Sequence, residues 1–225
     1  MKKSKLRKIV AGFPLFSELR EEQLDRLIEH AIVSPLPKKA LFFSEATTAH
    51  GMHILLTGKV KLFKVSEEGK EQTIFILGPG EPFCLCSVFC GGRLPGSLAA
   101  LEDSEILFIS PREYEHLMRE DPSIMMNMMR VMSRRLKEAM DLIDSLSLKQ
   151  VPSRLAAYFL SREKDGKVTL DVSYRELSKI IGITPEALSR VLKKMTGERL
   201  IQVEGSNIYL KNRAQLADAG DGRLS

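Results

Sequence analysis

The chain lacks several features that mark whole classes of protein. Its 225 residues include only three cysteines, and none precedes Cys84. A tetrahedral zinc site or an all-thiolate iron–sulfur site needs four ligands, which cysteine alone cannot supply here. No apolar run approaches the roughly 18 residues of a membrane span, and no signal-peptide core follows the basic residues 1–5. We therefore expect a cytoplasmic protein that makes no contact with a membrane.

Enzyme signatures are missing as well. The sequence has no phosphate-binding loop, no Gly-x-Ser-x-Gly turn and no dinucleotide fingerprint. Its predicted strands also carry too few histidines and glutamates for a metal-dependent barrel enzyme. We therefore expect a binding protein and not an enzyme.

Positive charge is concentrated near the C-terminus. Residues 151–213 contain 12 Lys or Arg and 7 Asp or Glu, whereas residues 1–150 contain 21 and 20. Apolar residues at 44% and charged residues at 28% are typical of a folded protein, and the length allows two domains. The basic excess favours a C-terminal domain that binds nucleic acid through its phosphates.

Residues 184–195 are the most informative segment. Thr184 can cap a helix and Pro185 suits its first position, and an apolar stripe recurs at Leu188, Leu192 and Met195. In a major groove, arginine matches guanine, a carboxylate accepts from cytosine, and lysines meet phosphates. We therefore predict a DNA-reading helix. The predicted DNA contacts are Thr184, Glu186, Ser189, Arg190, Lys193 and Lys194, with Arg175 on the preceding helix.

A second short helix and a hairpin flank this segment. Ser173 and Glu176 have the spacing of a capping box, and Gly182 is suited to end the helix that they open. Strands at 200–203 and 207–210 enclose a turn at 204–206. Helix, turn, helix and hairpin in this order predict a winged helix-turn-helix. The alternative is an ordinary helical hairpin with a solvated, charged face.

The N-terminal half has a different pattern. Residues 6–30 show helical spacing, and from about 33 to 110 short apolar runs alternate with Gly and Pro turns. These runs, at 40–43, 53–56, 60–65, 72–77 and 105–109, indicate an antiparallel barrel or sandwich. His50 and His53 have a spacing that fits a helix, so we expect them at the surface or in a turn.

A long helix after Pro122 carries an unbroken heptad seam. Apolar residues recur at alternating intervals of four and three, which favours a parallel contact between two copies of the helix. The alternative is a core helix on its own barrel, because Met and Ala specify such a seam weakly. Pro152 predicts a hinge near 147–150. The seam consists of Met125, Met129, Met132, Leu136, Ala139, Ile143 and Leu146.

These segments predict an α+β protein with four parts. Residues 1–111 form a sensor domain with N-terminal helices, and residues 112–150 form the dimerisation helix and hinge. Residues 151–213 form the winged helix domain, and residues 214–225 form a flexible tail.

Nearly the whole chain resembles the Crp/Fnr superfamily of bacterial transcription regulators. The similar motifs are residues 54–60, residues 77–81, Arg154 and the Glu-x-x-Ser-Arg run from Glu186 to Arg190. The last run is similar to the recognition pattern of the oxygen- and nitric-oxide-responsive branch. The resemblance implies a β-roll like a cyclic-nucleotide-binding domain and a homodimer that contacts RNA polymerase. It also implies palindromic DNA with TTGA-like half-sites, with Arg190 on guanine and Glu186 on the paired cytosine.

The cyclic-nucleotide signature of that superfamily is absent. Its cyclic-nucleotide members carry a Gly-Glu pair after a Phe, and an Arg-Ser/Thr-Ala run for the phosphate. This chain has Cys84-Leu85 after Phe83, and Gly96-Ser97-Leu98 at the second place. A buried phosphate without its arginine would be poorly compensated, so we do not expect a cyclic nucleotide to be the effector.

Three cysteines, Cys84, Cys86 and Cys90, follow Phe83, where the cyclic-nucleotide members begin with the Gly-Glu pair. The segment resembles the haem-ligand segment of the carbon-monoxide-sensing haem regulator, with Cys84 at the cysteine position and Cys86 where that regulator has a histidine. The resemblance implies haem as a candidate cofactor, with Cys84 as the iron ligand and a gas or redox signal as the effector. A thiol redox switch, a small-molecule effector and plain apolar core positions are the alternatives. A sensor dimer that uses its winged helix for protein contacts is a further one.

Overall fold

The computed structural model describes residues 3–45, 47, 49–85, 89 and 93–220. Contacts divide the chain into two compact units, residues 1–64 with 74–136 and residues 65–73 with 137–225. The division between residues 136 and 137 falls inside the predicted dimerisation helix of residues 112–150. The predicted domain boundaries therefore stay a prediction.

Helices open the first unit. They are α1 (Lys3–Ala11), a 3-10 helix (Pro14–Phe16) and α2 (Glu21–His30). The helical spacing predicted over residues 6–30 is therefore interrupted twice. Leu15, Phe16 and Leu27 are almost fully buried in one apolar core, so these helices cover a face of the sheets that follow.

Eight strands follow among the described residues. They form two four-stranded sheets, ordered β1-β8-β3-β6 and β2-β7-β4-β5, and the strand pairs whose register is resolved are antiparallel. The strands are β1 (Ile32–Leu36), β2 (Leu41–Phe43), β3 (Met52–Thr57), β4 (Val60–Val65), β5 (Glu71–Leu77), β6 (Pro82–Phe83), β7 (Ser97–Ala100) and β8 (Ser104–Ile109).

Alternation along β3 assigns its two faces. Met52, Ile54 and Leu56 belong to the core shared with the N-terminal helices, whereas Leu55 belongs to the core between the sheets. Successive side chains of a strand point to opposite faces, so His53 points the same way as Leu55, into the interior. This double-faced burial explains why β3 reads as a continuous apolar run.

Two helices complete the first unit, and the second one continues beyond it. They are α3 (Pro111–Glu120) and α4 (Pro122–Leu148), and α4 has the length that the sequence predicts. Ile124 and Met128 of α4 are buried in the first core. Further along α4, Arg135 donates to the Glu81 carboxylate at 2.7 Å, and Glu81 also accepts from the Gly78 N–H at 2.7 Å. These bonds attach the helix to the turn before β6.

Besides residues 65–73 and the last part of α4, the second unit contains a winged helix domain. Its elements are α5 (Val151–Arg162), β9 (Lys167–Thr169), α6 (Tyr174–Ile181), α7 (Pro185–Gly197), β10 (Ile201–Glu204), β11 (Asn207–Leu210) and α8 (Arg213–Gly220). The strands form a sheet ordered β10-β11-β9, so the predicted hairpin gains a third strand that the sequence did not reveal. The predicted α+β class, with a β-roll, a long helix and a winged helix-turn-helix, is confirmed.

The predicted flexible tail is wrong for its first residues. Residues 213–220 form α8, which packs on α5, and Leu216 is completely buried in the second core. The Asn212 side chain accepts from the Gln215 N–H at 3.1 Å and so caps the helix start. One buried leucine and one cap order a segment whose polar composition suggested fraying. Residues 221–225 lie outside the described part of the chain.

Within the described ranges, no helix is both long enough and apolar enough to cross a membrane.

Candidate nucleic-acid interface and sensory segment

The helix-turn-helix consists of α6, the turn at 182–184 and α7. Ser173 caps α6 by accepting from the Glu176 N–H at 3.2 Å. Gly182 ends it with a φ of 79°, a left-handed conformation that costs glycine little, and donates to the Ser178 carbonyl at 2.9 Å. A Cβ on Gly182 would lie 2.8 Å from Gln72 Oε1 and 2.9 Å from Leu146 Cδ2. Both conformation and close packing therefore require glycine in the turn.

The recognition helix α7 begins as the sequence predicts. Thr184 Oγ1 accepts from the Ala187 N–H at 3.2 Å, and Pro185 takes the first position, where its missing N–H costs nothing. Such a cap stabilises a helix by about 1 kcal/mol. Leu188, Leu192 and Met195 are buried in the second core and fix the rotation of the helix about its axis.

The opposite face of this helix is exposed. All seven side chains predicted to contact DNA lie there or on the adjoining surface of α6, and each of the seven residues is exposed. They are Thr184, Glu186, Ser189, Arg190, Lys193, Lys194 and Arg175. The structure thus brings together residues that the sequence could only place at suitable intervals.

Charges on this face suit base and phosphate contacts. Hydrogen bonds from its own backbone N–H and from Thr184 lower the pKa of Glu186, and the charge of Arg190 lowers it further. Glu186 is therefore an ionised acceptor at neutral pH. Lys194 lies 3.8 Å from Glu198, the residue that caps the end of α7, and Arg190 and Lys193 are exposed.

The wing is tied to the helix-turn-helix. The Tyr174 hydroxyl, at the start of α6, donates to the Gly205 carbonyl in the β10–β11 turn at 2.6 Å. Burial raises the pKa of this tyrosine, which therefore keeps its proton as a donor. Between α7 and the wing lies a groove of about 460 Å³ with an apolar floor. It is lined by Tyr174, Pro185, Leu188, Ser189, Leu192, Lys193, Thr196 and Val203.

The heptad seam of α4 is mostly exposed in the single chain. Met125, Met129, Met132, Leu136 and Ile143 have between 41% and 67% of their surface accessible, and Ala139 and Leu146 are half-buried. An exposed apolar stripe of this length on a helix indicates a partner surface. The buried residues Ile124 and Met128 are not seam residues: each precedes a seam residue by one position, about 100° around the helix, so the core uses a neighbouring face.

The cysteine segment, residues 84–90, is described at Cys84, Leu85 and Phe89. Cys84 is 8% exposed and lies in the core between the sheets, with Phe83, Leu94 and Leu98. Its φ is 63°, in the left-handed region that glycine favours. Cyclic-nucleotide members of the resembled superfamily have glycine at this position, so a cysteine there stores backbone strain. Cys86 and Cys90 lie outside the described residues.

His53 is a feature that the sequence analysis placed wrongly. It is 6% exposed on β3, between the rings of Phe42, Phe43, Phe83 and Phe108, whose centroids lie 5.1–5.6 Å away. Burial lowers its pKa to about 4, so the imidazole is neutral, and its Nδ1 has no hydrogen-bond partner among the described residues. His50 is exposed, as expected. Strand alternation, and not the histidine spacing, was the signal that would have found His53.

The other histidines lie elsewhere. His116 contacts the Arg26 guanidinium at 3.0 Å and Glu120 at 3.6 Å, and His30 lies 3.8 Å from Glu113. These groups form an ion cluster between α2 and α3 at the surface. Among the residues described, no group of three His, Cys, Asp or Glu side chains is placed to hold a metal ion.

Comparisons with known proteins agree with this architecture. Residues 33–121 match the model of the cyclic nucleotide-binding domain, and residues 153–219 match the Crp-like helix-turn-helix domain. The cyclic AMP receptor protein of Thermus thermophilus is 29% identical over 212 residues, covering 94% of this chain and 98% of that protein. The CRP-like cAMP-activated global transcriptional regulator of Mycobacterium tuberculosis is 22% identical, with coverages of 93% and 97%.

Solved structures show the same fold. A CooA mutant from Carboxydothermus hydrogenoformans superimposes with a TM-score of 0.77 at 22% identity, covering 90% of this chain and 91% of that one. FixK2 from Bradyrhizobium japonicum gives 0.71 at 22% identity, with coverages of 84% and 96%. The chain belongs to the Crp/Fnr superfamily of transcription regulators, whose members bind DNA as homodimers and contact RNA polymerase.

Proposed function

We propose that this regulator reads palindromic DNA with TTGA-like half-sites through α7. The supporting observation is that a buried stripe and a cap orient α7 so that each of its predicted base- or phosphate-contacting side chains is exposed, as is Arg175 on α6. Arg190 pairs with the two acceptors of guanine, and ionised Glu186 accepts from the amino group of the paired cytosine. Lys193, Lys194 and Arg175 bind phosphates, and Thr184 and Ser189 supply short polar contacts.

Two copies are needed because one helix reads only one half-site. We infer that the exposed seam of α4 joins the copies and that the two recognition helices then lie about one turn of DNA, roughly 34 Å, apart. An effector acts by shifting the balance between two arrangements of the dimer.

The DNA proposal is tested by gel shift on the palindrome and on versions with single substitutions in the half-site. Arg190→Ala should bind all versions with similar affinity, because a bidentate arginine contact supplies about 1–3 kcal/mol of discrimination. Lys193→Ala, one helical turn away, should weaken every version equally. Full discrimination by Arg190→Ala would contradict the base-contact assignment.

We propose further that the interior beside Cys84 is the sensory site and that haem is its cofactor. The donor chemistry fits, because a thiol and a neutral imidazole, His53, lie in the same apolar β-roll interior. Haem iron accepts both donor types, and when bound it would supply a position for a diatomic gas. Cys84 would hold the iron as thiolate, His53 is the further donor present, and the phenylalanines around His53 exclude water.

The visible absorption spectrum of freshly purified protein tests the cofactor. We expect a Soret band that Cys84→Ser shifts or abolishes. Cys86→Ser, at the position where the haem regulator has histidine, is the comparison variant. Titrations with cyclic AMP and with a thiol oxidant, read by DNA binding, are the competing arms. A featureless spectrum with a response to cyclic AMP would overturn the haem proposal and the expectation against cyclic nucleotides.

A thiol switch is the second candidate, favoured by the strained, buried Cys84. A featureless spectrum with a response to the oxidant, abolished in Cys84→Ser, would support it. Protection of no DNA sequence under any of these conditions would favour protein contacts by the winged helix instead.

A further inference from the structure

Arg154 occupies the junction between α4 and the helix-turn-helix. It is the fourth residue of α5, and its side chain is partly buried. The guanidinium donates from three different nitrogens: Nη2 to the Leu146 carbonyl at 2.9 Å, Nε to the Lys149 carbonyl at 2.9 Å, and Nη1 to the Ile181 carbonyl at 3.3 Å. Leu146 lies in the last turn of α4, and Ile181 is the last residue of α6.

The carbonyls of Leu146 and Ile181 lie at helix ends and need an external donor, whereas Lys149 follows the end of α4. The last four carbonyls of a helix have no partner within it, and they give the C-terminus a partial negative charge. Pro152 has no N–H and disfavours helical geometry before it, so the chain cannot satisfy the end of α4 by continuing the helix. One cation therefore serves the C-terminal ends of two helices.

The geometry suits arginine specifically. A guanidinium presents its N–H groups in a rigid planar fork, whereas lysine carries its donors on one atom. The guanidinium lies next to a closely packed contact between Gly182 and Leu146. A Cβ on Gly182 would lie 2.9 Å from Leu146 Cδ2 and 3.6 Å from Arg154 Nη1. The end of α4 and the turn of the helix-turn-helix thus pack closely, with the three hydrogen bonds of Arg154 beside the contact.

We propose that Arg154 is the positioning residue that fixes the direction of the helix-turn-helix relative to the end of α4, and so sets the half-site spacing that the dimer accepts. Arg154 touches no base or phosphate in this role. It acts through the carbonyls of Leu146, Lys149 and Ile181. The inference rests on the proposed function, because a spacing preference exists only for a dimer on a palindrome.

The test compares full-length wild type, Arg154→Lys and Arg154→Gln on palindromes whose half-sites are one base pair closer, correctly spaced or one base pair further apart. Wild type should prefer one spacing. Both variants should bind that spacing about tenfold more weakly and bind all three spacings within about threefold of one another, as expected when charged hydrogen bonds are removed. Arg162→Gln is the matched control, because this exposed arginine of α5 stacks on Tyr158 and should leave the preference unchanged.

The outcomes separate the two proposals. Wild type that binds no palindrome contradicts the proposed function, whatever the variants do. If wild type prefers one spacing and Arg154→Lys retains that preference, at equal or uniformly lower affinity, the inference is overturned. Loss of the helical circular dichroism signal in both variants also overturns it, because Arg154 would then stabilise the domain and not orient it.

Discussion

At the residue scale, burial and hydrogen bonding separate side chains that look alike in the sequence. His50 and His53 differ by three positions, but one is exposed and the other lies among four phenylalanines. Arg154 and Arg162 share α5, but one binds three carbonyls and the other stacks on Tyr158 at 4.0 Å. The surroundings of each residue determine its role.

His53 gives a prediction about pH. Its pKa is about 4 in the folded chain, whereas an unfolded histidine titrates near 6.5. Between these values the unfolded chain binds a proton that the folded chain does not, so the free energy of unfolding decreases as the pH falls through this window. We expect this one residue to account for about 2 kcal/mol between pH 7.5 and pH 5, from about 1.4 kcal/mol per pH unit.

Urea unfolding at both pH values checks this. His53→Phe, which keeps an aromatic ring in the cluster, should lose that part of the pH dependence, whereas His50→Gln at the exposed position should retain it. An unchanged pH dependence in His53→Phe would show that His53 does not titrate as proposed.

At the element scale, α4 shows how one helix serves two surfaces. Ile124 and Met128 bury one side of it, and the heptad seam leaves another side exposed. The sequence alone left a core helix and a dimer helix as alternatives. The accessible seam favours the dimer, because an intramolecular core would have buried these methionines and leucines.

The seam gives a prediction about assembly. Leu136 is 67% exposed in the single chain, so Leu136→Asp removes little intramolecular packing and should leave the secondary structure intact. In the dimer it would bury an unpaired carboxylate at the interface, which is strongly unfavourable. Sedimentation should then show monomer at micromolar concentration, and DNA affinity should fall at least tenfold.

Ser133→Asp provides the control for the seam, because this exposed residue flanks the seam without being one of its seven apolar residues, so that its carboxylate can stay in solvent. It should stay dimeric. If Leu136→Asp is still a dimer, the seam is not the dimer interface.

At the scale of the whole molecule, the positive charge and the predicted DNA-contact surface coincide. The basic excess of residues 151–213 lies on the winged helix domain, and the first 150 residues are nearly neutral. Association with DNA should therefore release counterions mainly through this domain.

Salt titration of DNA binding measures that release. Lys193→Ala should reduce the slope of log affinity against log salt by about 0.9 for each phosphate that is no longer neutralised, or about 1.8 for a dimer. Lys164→Ala removes the same charge from an exposed position after α5 that is not among the predicted DNA contacts, and it should leave the slope nearly unchanged. Equal slope changes for the two variants would mean that net charge, and not a phosphate bound by Lys193, drives binding.

Much of the fold was predictable because its signals are local. Caps at Ser173 and Thr184, the proline after Thr184, the left-handed Gly182 and the heptad period each depend on residues a few positions apart. These signals determined the helix-turn-helix, the long helix, most strands and the face of α7 that carries the predicted DNA contacts. The strand β9 and the helix α8 were not predicted from the sequence, because partners distant in the chain stabilise them. The partner of β9 is β11, and the partner of α8 is α5.

The sequence by itself determined the family, the order of elements and the identity of the candidate base-reading residues, since periodicity and capping act over short distances. Only the tertiary structure decided the burial of His53, the strained backbone of Cys84 and the three carbonyls around Arg154. Each of these depends on segments far apart in the chain that meet through packing. Strand alternation could place His53 on the same face of β3 as Leu55, but no local pattern encodes which distant segments cover that face.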